Sequence, residues 1–300
     1  MATRFASRWG VALSLGLGAL LSAGLAAAAD PLNILYYGNS FTNATCCGSS
    51  RSVPLVLSDV AVAAGHVAPY NRNASVNGQS LQYHLNSNTT IITSGIAAGQ
   101  DWDYVVLQDF STQPTHIGDL PLHLSSSLAL YQKVKDHSPG AQAVMYETWA
   151  RGYGHSYYTG GAPAFPGGPA QMQQELRDGY QMSTDNINAV EGDGSARFAP
   201  AGDTWEDLNW PANFYGDVNY HASNRGTLLN ALALYATIYE DDTTSDIDLS
   251  GVLTSLNLTA ADGLLITTAL DANLRSVPEP GAVVLGLLGC LVGAARRRRL

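Results

Sequence analysis

Along the chain, short apolar runs alternate with longer segments in which apolar residues recur every three or four positions. Asn33–Tyr37 and residues 103–107 and 141–146 are apolar, β-prone runs of the kind buried on both faces of a parallel sheet. Ala196–Ala199 is a shorter candidate strand. Ser52 followed by Pro54 predicts a helix start, an N-cap with proline in the first turn. Leu55, Val56, Val60, Ala63 and Ala64 give that helix an apolar face, and Gly65 closes it. Further helices are expected over residues 80–85, Leu120–His137, and residues 169–190, 223–239 and 260–270. Strands and helices alternating at this spacing predict an α/β class with a parallel sheet and right-handed crossovers. Residues 151–168 break the pattern. They are rich in glycine and tyrosine without periodicity, and predict a long surface loop. Such a loop either walls a cleft, where tyrosines stack on sugar faces, or is a solvent-exposed insertion.

The ends of the chain follow other rules. Arg4 and Arg8 precede an apolar run, and Ala26-Ala27-Ala28-Ala29 follows it, which is the layout of a secretory signal with its cleavage site. The run is short for a transmembrane anchor. At the other end stand Val277-Pro278-Glu279-Pro280, an apolar segment over residues 281–295, and Arg296-Arg297-Arg298-Arg299. As a helix that segment is about 22 Å long, so it barely engages a bilayer core of about 30 Å. The arginines would hold the end on the cytoplasmic side. This tail resembles a bacterial PEP-CTERM sorting signal, the alternative being an ordinary tail anchor. The resemblance implies processing by an exosortase, besides signal peptidase at the N-terminus. The protein would be exported, transiently anchored through the C-terminal helix, and then placed at the cell surface or in the extracellular matrix. The expected organisation is a signal peptide over residues 1–29, a main domain over 30–245, an acidic linker and helix over 246–276, and the sorting signal over 277–300.

Charge narrows the partners. Six of the 15 basic residues and one of the 25 acidic residues lie in the terminal signals, so the remainder carries 9 basic and 24 acidic side chains, a balance of −15. That surface repels nucleic acid. Cys290 leaves with the tail, while Cys46 and Cys47 are adjacent. In an exported protein they are either a pair of thiols or a vicinal disulfide, a bond that is strained between neighbours. No histidine is near them in sequence, so no metal is expected there. Asp246-Ile247-Asp248-Leu249-Ser250-Gly251 starts like a calcium loop, but Asn257 stands where a bidentate glutamate is needed. No cofactor is expected.

Two segments carry candidate chemistry. Ile34-Leu35-Tyr36-Tyr37-Gly38-Asn39-Ser40 runs an apolar strand into a tight turn ending in a serine. Asp217-Val218-Asn219-Tyr220-His221 places a histidine after an acidic residue, ahead of a helix. A serine hydroxyl is a weak nucleophile near neutral pH and needs a base in hydrogen-bond reach. A turn at the carboxyl edge of a parallel sheet would present it where open α/β folds bind ligands.

These blocks resemble the SGNH (GDSL-like) hydrolases over about residues 32–240. In the resemblance, Ser40 is the nucleophile, His221 the general base and Asp217 its acid. Gly78, in Ala74-Ser75-Val76-Asn77-Gly78-Gln79-Ser80, gives a backbone N–H to the oxyanion hole beside that of Ser40. Gln108, after the strand ending at Leu107, stands where the family usually offers an asparagine amide to the oxyanion. Asn77 or Asn39 could serve if Gln108 cannot. Asp217 lies four residues before His221, where three is usual, so Asn219, Asp203, Glu206 and Asp207 stay open as partners of the imidazole. The resemblance implies a three-layer α/β/α, flavodoxin-like fold with a central parallel sheet. It also implies a serine esterase acting on small acyl esters, including O-acetyl groups on carbohydrates. The alternative is a catalytically silent protein of the same fold that binds glycans or serves as matrix.

Overall fold

The computed structural model describes residues 30–276. The expected secretory signal and the PEP-CTERM tail lie outside these residues. Among the described residues, no helix is long and apolar enough to cross a membrane.

Five parallel strands form one sheet in the order β2-β1-β3-β4-β5. They are β1 (Asn33–Tyr37), β2 (Tyr70–Asn73), β3 (Tyr104–Leu107), β4 (Gln142–Tyr146) and β5 (Ala196–Ala199). Successive side chains on a strand point to opposite faces. Ile34, Tyr36, Val106, Val144 and Tyr146 accordingly join one apolar cluster, while Leu35, Tyr37, Val105, Leu107, Ala143 and Met145 join a second. Both faces are covered, which is why these strands read as continuous apolar runs instead of alternating ones.

In chain order the helices are α1 (Ser40–Asn43), α2 (Val53–Ala63), α3 (Leu81–Ser87), α4 (Ile91–Ser94), α5 (Leu120–His137), α6 (Gly168–Glu191), α7 (Ala201–Asp207), α8 (Asn224–Tyr239), α9 (Ser250–Ser255) and α10 (Ala260–Ser276). α2 and α8 pack on the first face of the sheet, α3 and α5 on the second. α8 is apolar nearly all round because it is buried there. The result is the expected α/β/α layering with a parallel sheet.

The edge strand β2, Tyr-Asn-Arg-Asn, gives no apolar signal because it is largely exposed. Its assignment comes from pairing to β1 and not from side-chain pattern. Residues 246–276 are packed onto the domain. Leu249, Val252, Leu253, Leu256, Ile266 and Leu270 belong to the same cluster as α2 and α8. Asp271 fastens the segment by accepting hydrogen bonds from the backbone and hydroxyls of Thr244 and Ser245. Asp248, the third position of the calcium-like start, accepts the backbone N–H of Ser250 at the head of α9.

Candidate active site

β1 ends at the carboxyl edge of the sheet, and the chain turns through Gly38 and Asn39 into α1. A Cβ on Gly38 would sit 2.4 Å from Thr42 Oγ1 and 2.7 Å from Gln108 Oε1, so the turn closes only around glycine. Asn39 holds the turn from three sides. Its Oδ1 caps α1 by accepting the N–H of Phe41 at 3.0 Å, and its Nδ2 donates to the carbonyls of Gln79 and Asp109. Ser40 is the first residue of α1 and is 7% exposed.

His221 reaches this turn from 181 residues away. It sits on a loop that doubles back between Tyr215 and Ala222, which pair as an antiparallel bridge, with the Gly216 N–H donating to the His221 carbonyl at 2.8 Å. His221 Nε2 lies 3.1 Å from Ser40 Oγ, and His221 Nδ1 lies 2.7 Å from Asp217 Oδ2. Asp217 Oδ1 accepts the backbone N–H groups of Tyr220 and His221 at 2.8 and 2.9 Å. The loop thereby curls around the carboxylate, and the four-residue spacing is absorbed in the curl. Partial burial pushes the Asp217 carboxyl upward. The hydrogen bonds from the His221 ring and the two amides outweigh that and hold it below the usual carboxylate value. An ionised Asp217 accepts the Nδ1 proton and leaves the Nε2 lone pair facing the Ser40 hydroxyl.

Two of the other candidate acids are engaged elsewhere. Asp203 and Glu206 both pair with Arg177. Asn219 uses its backbone carbonyl to accept the N–H of Gly152. Ser40, His221 and Asp217 are the three that the fold brings together.

The second block is tied to the same turn. The N–H of Val76 donates to the Gly38 carbonyl at 3.0 Å, and Asn43 Nδ2 donates to Asn77 Oδ1 at 3.1 Å. Gly78 lies between these ties and the Asn39–Gln79 bond, in a left-handed conformation with φ +76°. Only glycine adopts that without cost.

Gln108 departs from its expected position. It is fully buried beneath the turn. Its Oε1 accepts the Asn39 N–H at 2.9 Å and the Thr42 hydroxyl at 3.0 Å, and its Nε2 donates to the Asp109 carbonyl. The extra methylene of glutamine lets the amide pass under the turn, so it braces the nucleophile segment from below.

Several supporting residues carry no sequence signal of their own. Phe41 stacks on Trp149 with ring centroids 4.2 Å apart, and Trp149 stacks on Trp205 at 4.7 Å. Trp149 Nε1 donates to the Tyr220 carbonyl at 3.0 Å, so this aromatic column joins the serine turn to the histidine loop. Each such ring pair contributes about 0.5–1.5 kcal/mol beyond its buried area. The Arg151 guanidinium lies 3.8 Å from the centre of the Tyr220 ring, which in turn lies 4.0 Å from the His221 ring. Arg151 is 3% exposed and donates to Ser111 Oγ at 2.6 Å, and among the described residues no carboxylate pairs with it. Burial lowers its pKa, against the pull of the surrounding tyrosines. The glycine- and tyrosine-rich loop thus begins inside the site, although much of the rest of it is exposed. A lone arginine at the head of an aromatic-rich stretch is the only hint that the sequence offers.

The other histidines have structural partners, His137 and His155 included. His123 Nδ1 meets Asp109 Oδ2 at 2.9 Å in the core, His84 Nε2 meets the Gly38 carbonyl at 2.8 Å, and His116 pairs with Glu175. Cys46 and Cys47, just after α1, form a disulfide between neighbours. A cleft of about 550 Å³ lies away from the triad, between residues 114–121 and α6.

No protein-family model matches the chain, and no curated protein matches it either. Solved structures do. A protein of Slackia heliotrinireducens described as an SGNH hydrolase is 23% identical, with a TM-score of 0.53, over 70% of this chain and 100% of its own. A DUF4886 family protein of Bacteroides uniformis is 15% identical, with a TM-score of 0.62, over 84% of this chain and 99% of its own. A family 3 carbohydrate esterase of Clostridium thermocellum is 13% identical, with a TM-score of 0.50, over 70% of this chain and 96% of its own. At these identities the likeness speaks for architecture: this chain has the fold of the SGNH hydrolases.

Proposed function

We propose that this protein is an exported serine ester hydrolase. The observation that carries the reading is the hydrogen-bonded series from Ser40 Oγ through His221 to Asp217, at 3.1 and 2.7 Å. Both distances lie in the range that proton transfer to a positioned base requires. In the proposed reaction Ser40 attacks an ester carbonyl while His221 takes its proton at Nε2. Asp217 keeps the imidazole oriented and stabilises its charged form. The oxyanion is met by the backbone N–H groups of Ser40 and Gly78. His221 then returns the proton to the leaving alcohol, and water deacylates the serine by the same route.

The substrate class is a small acyl ester, with O-acetylated carbohydrate the specific candidate. Support comes from a structural neighbour named as a carbohydrate esterase and from the tyrosines of the loop that starts at Arg151. Export and anchoring rest on the terminal sequences alone. A chromogenic acetyl ester assay on the full chain, with Ser40→Ala beside it, tests the reading. Turnover that disappears in the variant supports it. Equal turnover removes Ser40 from the mechanism, and no turnover on any short ester favours a silent, glycan-binding role.

A further inference from the structure

The two cysteines have no histidine near them in sequence, but the fold supplies one. Cys46 Sγ, Cys47 Sγ and a ring nitrogen of His221 all lie within 4.8 Å of one another. The approach is fixed by backbone. Gly48 and Gly216 pack so closely that a Cβ on either would fall within 2.4 Å of the other's Cα, which leaves no room for a side chain. The cysteine loop is thereby clamped to the loop that carries Asp217 and His221. Cys46 is exposed, so the disulfide is open to a reductant.

From this geometry we infer that the reduced Cys46–Cys47 pair and His221 form a binding site for a thiophilic divalent cation such as Zn²⁺ or Cd²⁺, and that its occupancy withdraws His221 from Ser40. Two thiolates and an imidazole are the donor set such ions select. Ligand atoms around a tetrahedral zinc stand about 3.5–3.8 Å apart, for bonds of about 2.3 Å to sulfur and 2.0–2.1 Å to nitrogen; the two sulfurs, bonded to each other in the disulfide, must separate on reduction to reach that spacing. Asp217 already holds Nδ1 at 2.7 Å. A carboxylate on the far nitrogen is the support that metal-bound imidazoles use, and it leaves Nε2 for the ion. Nε2 is also the nitrogen that faces Ser40. The site does not exist in the oxidised protein. A dithiol reductant must first deliver two electrons and two protons to the Cys46–Cys47 bond, itself closing to a cyclic disulfide. Ion binding then releases the two thiol protons.

This goes beyond the ester-hydrolase reading and is tested without it. Full-length protein is reduced, freed of reductant under anaerobic conditions and titrated with Cd²⁺, with the ultraviolet thiolate-to-Cd²⁺ charge-transfer band as the readout. The expected result is one Cd²⁺ per chain in the reduced protein and no band in the oxidised protein. Affinity should fall at least about tenfold in His221→Ala, as loss of a ligand demands. Reversal by a chelator, with an unchanged melting profile, excludes unfolding as the source of the band. If the metal-free protein turns over an ester, Cd²⁺ should stop it in the reduced state only. No band in the reduced protein, or equal affinity in His221→Ala, overturns the inference. Absence of ester turnover overturns only the proposed activity.

Discussion

The side-chain carbonyl of Gln108 accepts the backbone N–H of Asn39 at 2.9 Å, one residue before the candidate nucleophile. This single bond explains why a glutamine follows β3. It reaches under the turn, also holds the Thr42 hydroxyl, and fixes the height of Ser40 above the sheet. Gln108→Asn shortens the reach by one methylene and leaves the buried Asn39 N–H without its acceptor. Leaving such a donor unpaired costs about 1–3 kcal/mol. The expected outcome is a lower melting temperature and a kcat reduced about 10- to 100-fold with KM little changed, since the loss falls on the geometry of attack. Steady-state kinetics on a short ester, with a thermal melt, checks it.

Asp217 offers a second test. It is 37% exposed at the side chain, so its value lies in orientation more than in buried charge. Asp217→Asn keeps the shape but presents an amide that favours the wrong imidazole tautomer. A fall in kcat of about 10³- to 10⁴-fold is expected, in line with the loss of the acid in other serine hydrolases. Because hydrogen bonding holds the Asp217 carboxyl below its usual value, it stays ionised down to that range. Titration of Asp217 is therefore expected to enter the wild-type pH–rate profile only below its ordinary value of 3.8.

Arg151 is a buried cation over the Tyr220 ring, which lies tilted against the His221 ring. Arg151→Met keeps most of the volume and removes the charge. Replacing a buried charge that no carboxylate balances is often neutral or stabilising. The variant should melt near the wild-type temperature yet lose about tenfold in kcat as Tyr220 and the histidine loop relax. A stability loss equal to the activity loss would mean that Arg151 acts only as packing.

How far the sequence reveals this molecule depends on what each residue is buried against. β1, β3 and β4 are legible because both their faces are covered, and α5 and α8 because their caps and apolar positions agree. Ser40 and His221 stand out because few roles require a serine at a tight strand–helix turn facing a late histidine. β2 is hidden because an exposed edge strand has no apolar pattern. Gln108 is misleading because its position in the chain is that of an oxyanion donor, while its length places it under the turn. Arg151, Trp149 and Phe41 gain their roles only from contacts made by chain folding. The cysteines gain a histidine partner the same way.

The C-terminal segment gives a pH-dependent stability test. Asp271 is 3% exposed. Burial pushes its carboxyl upward, and the hydrogen bonds from Ser245 and Thr244 outweigh that and depress it below 3.8. A depressed folded value contributes stability that is present above the unfolded value and is lost as pH falls through the folded one. Asp271→Asn should therefore melt below wild type at pH 7. The gap should narrow as pH falls below 3.8. Circular-dichroism melts at a series of pH values check the convergence.

The account rests on a Ser40 hydroxyl activated by His221, and covalent trapping tests this most directly. The full chain is treated with a fluorophosphonate and its intact mass and peptide map are recorded. One phosphonyl adduct, on Ser40, is predicted, absent in Ser40→Ala and formed far more slowly in His221→Ala. No adduct on the wild-type chain, or one on another residue that survives Ser40→Ala, would contradict the account.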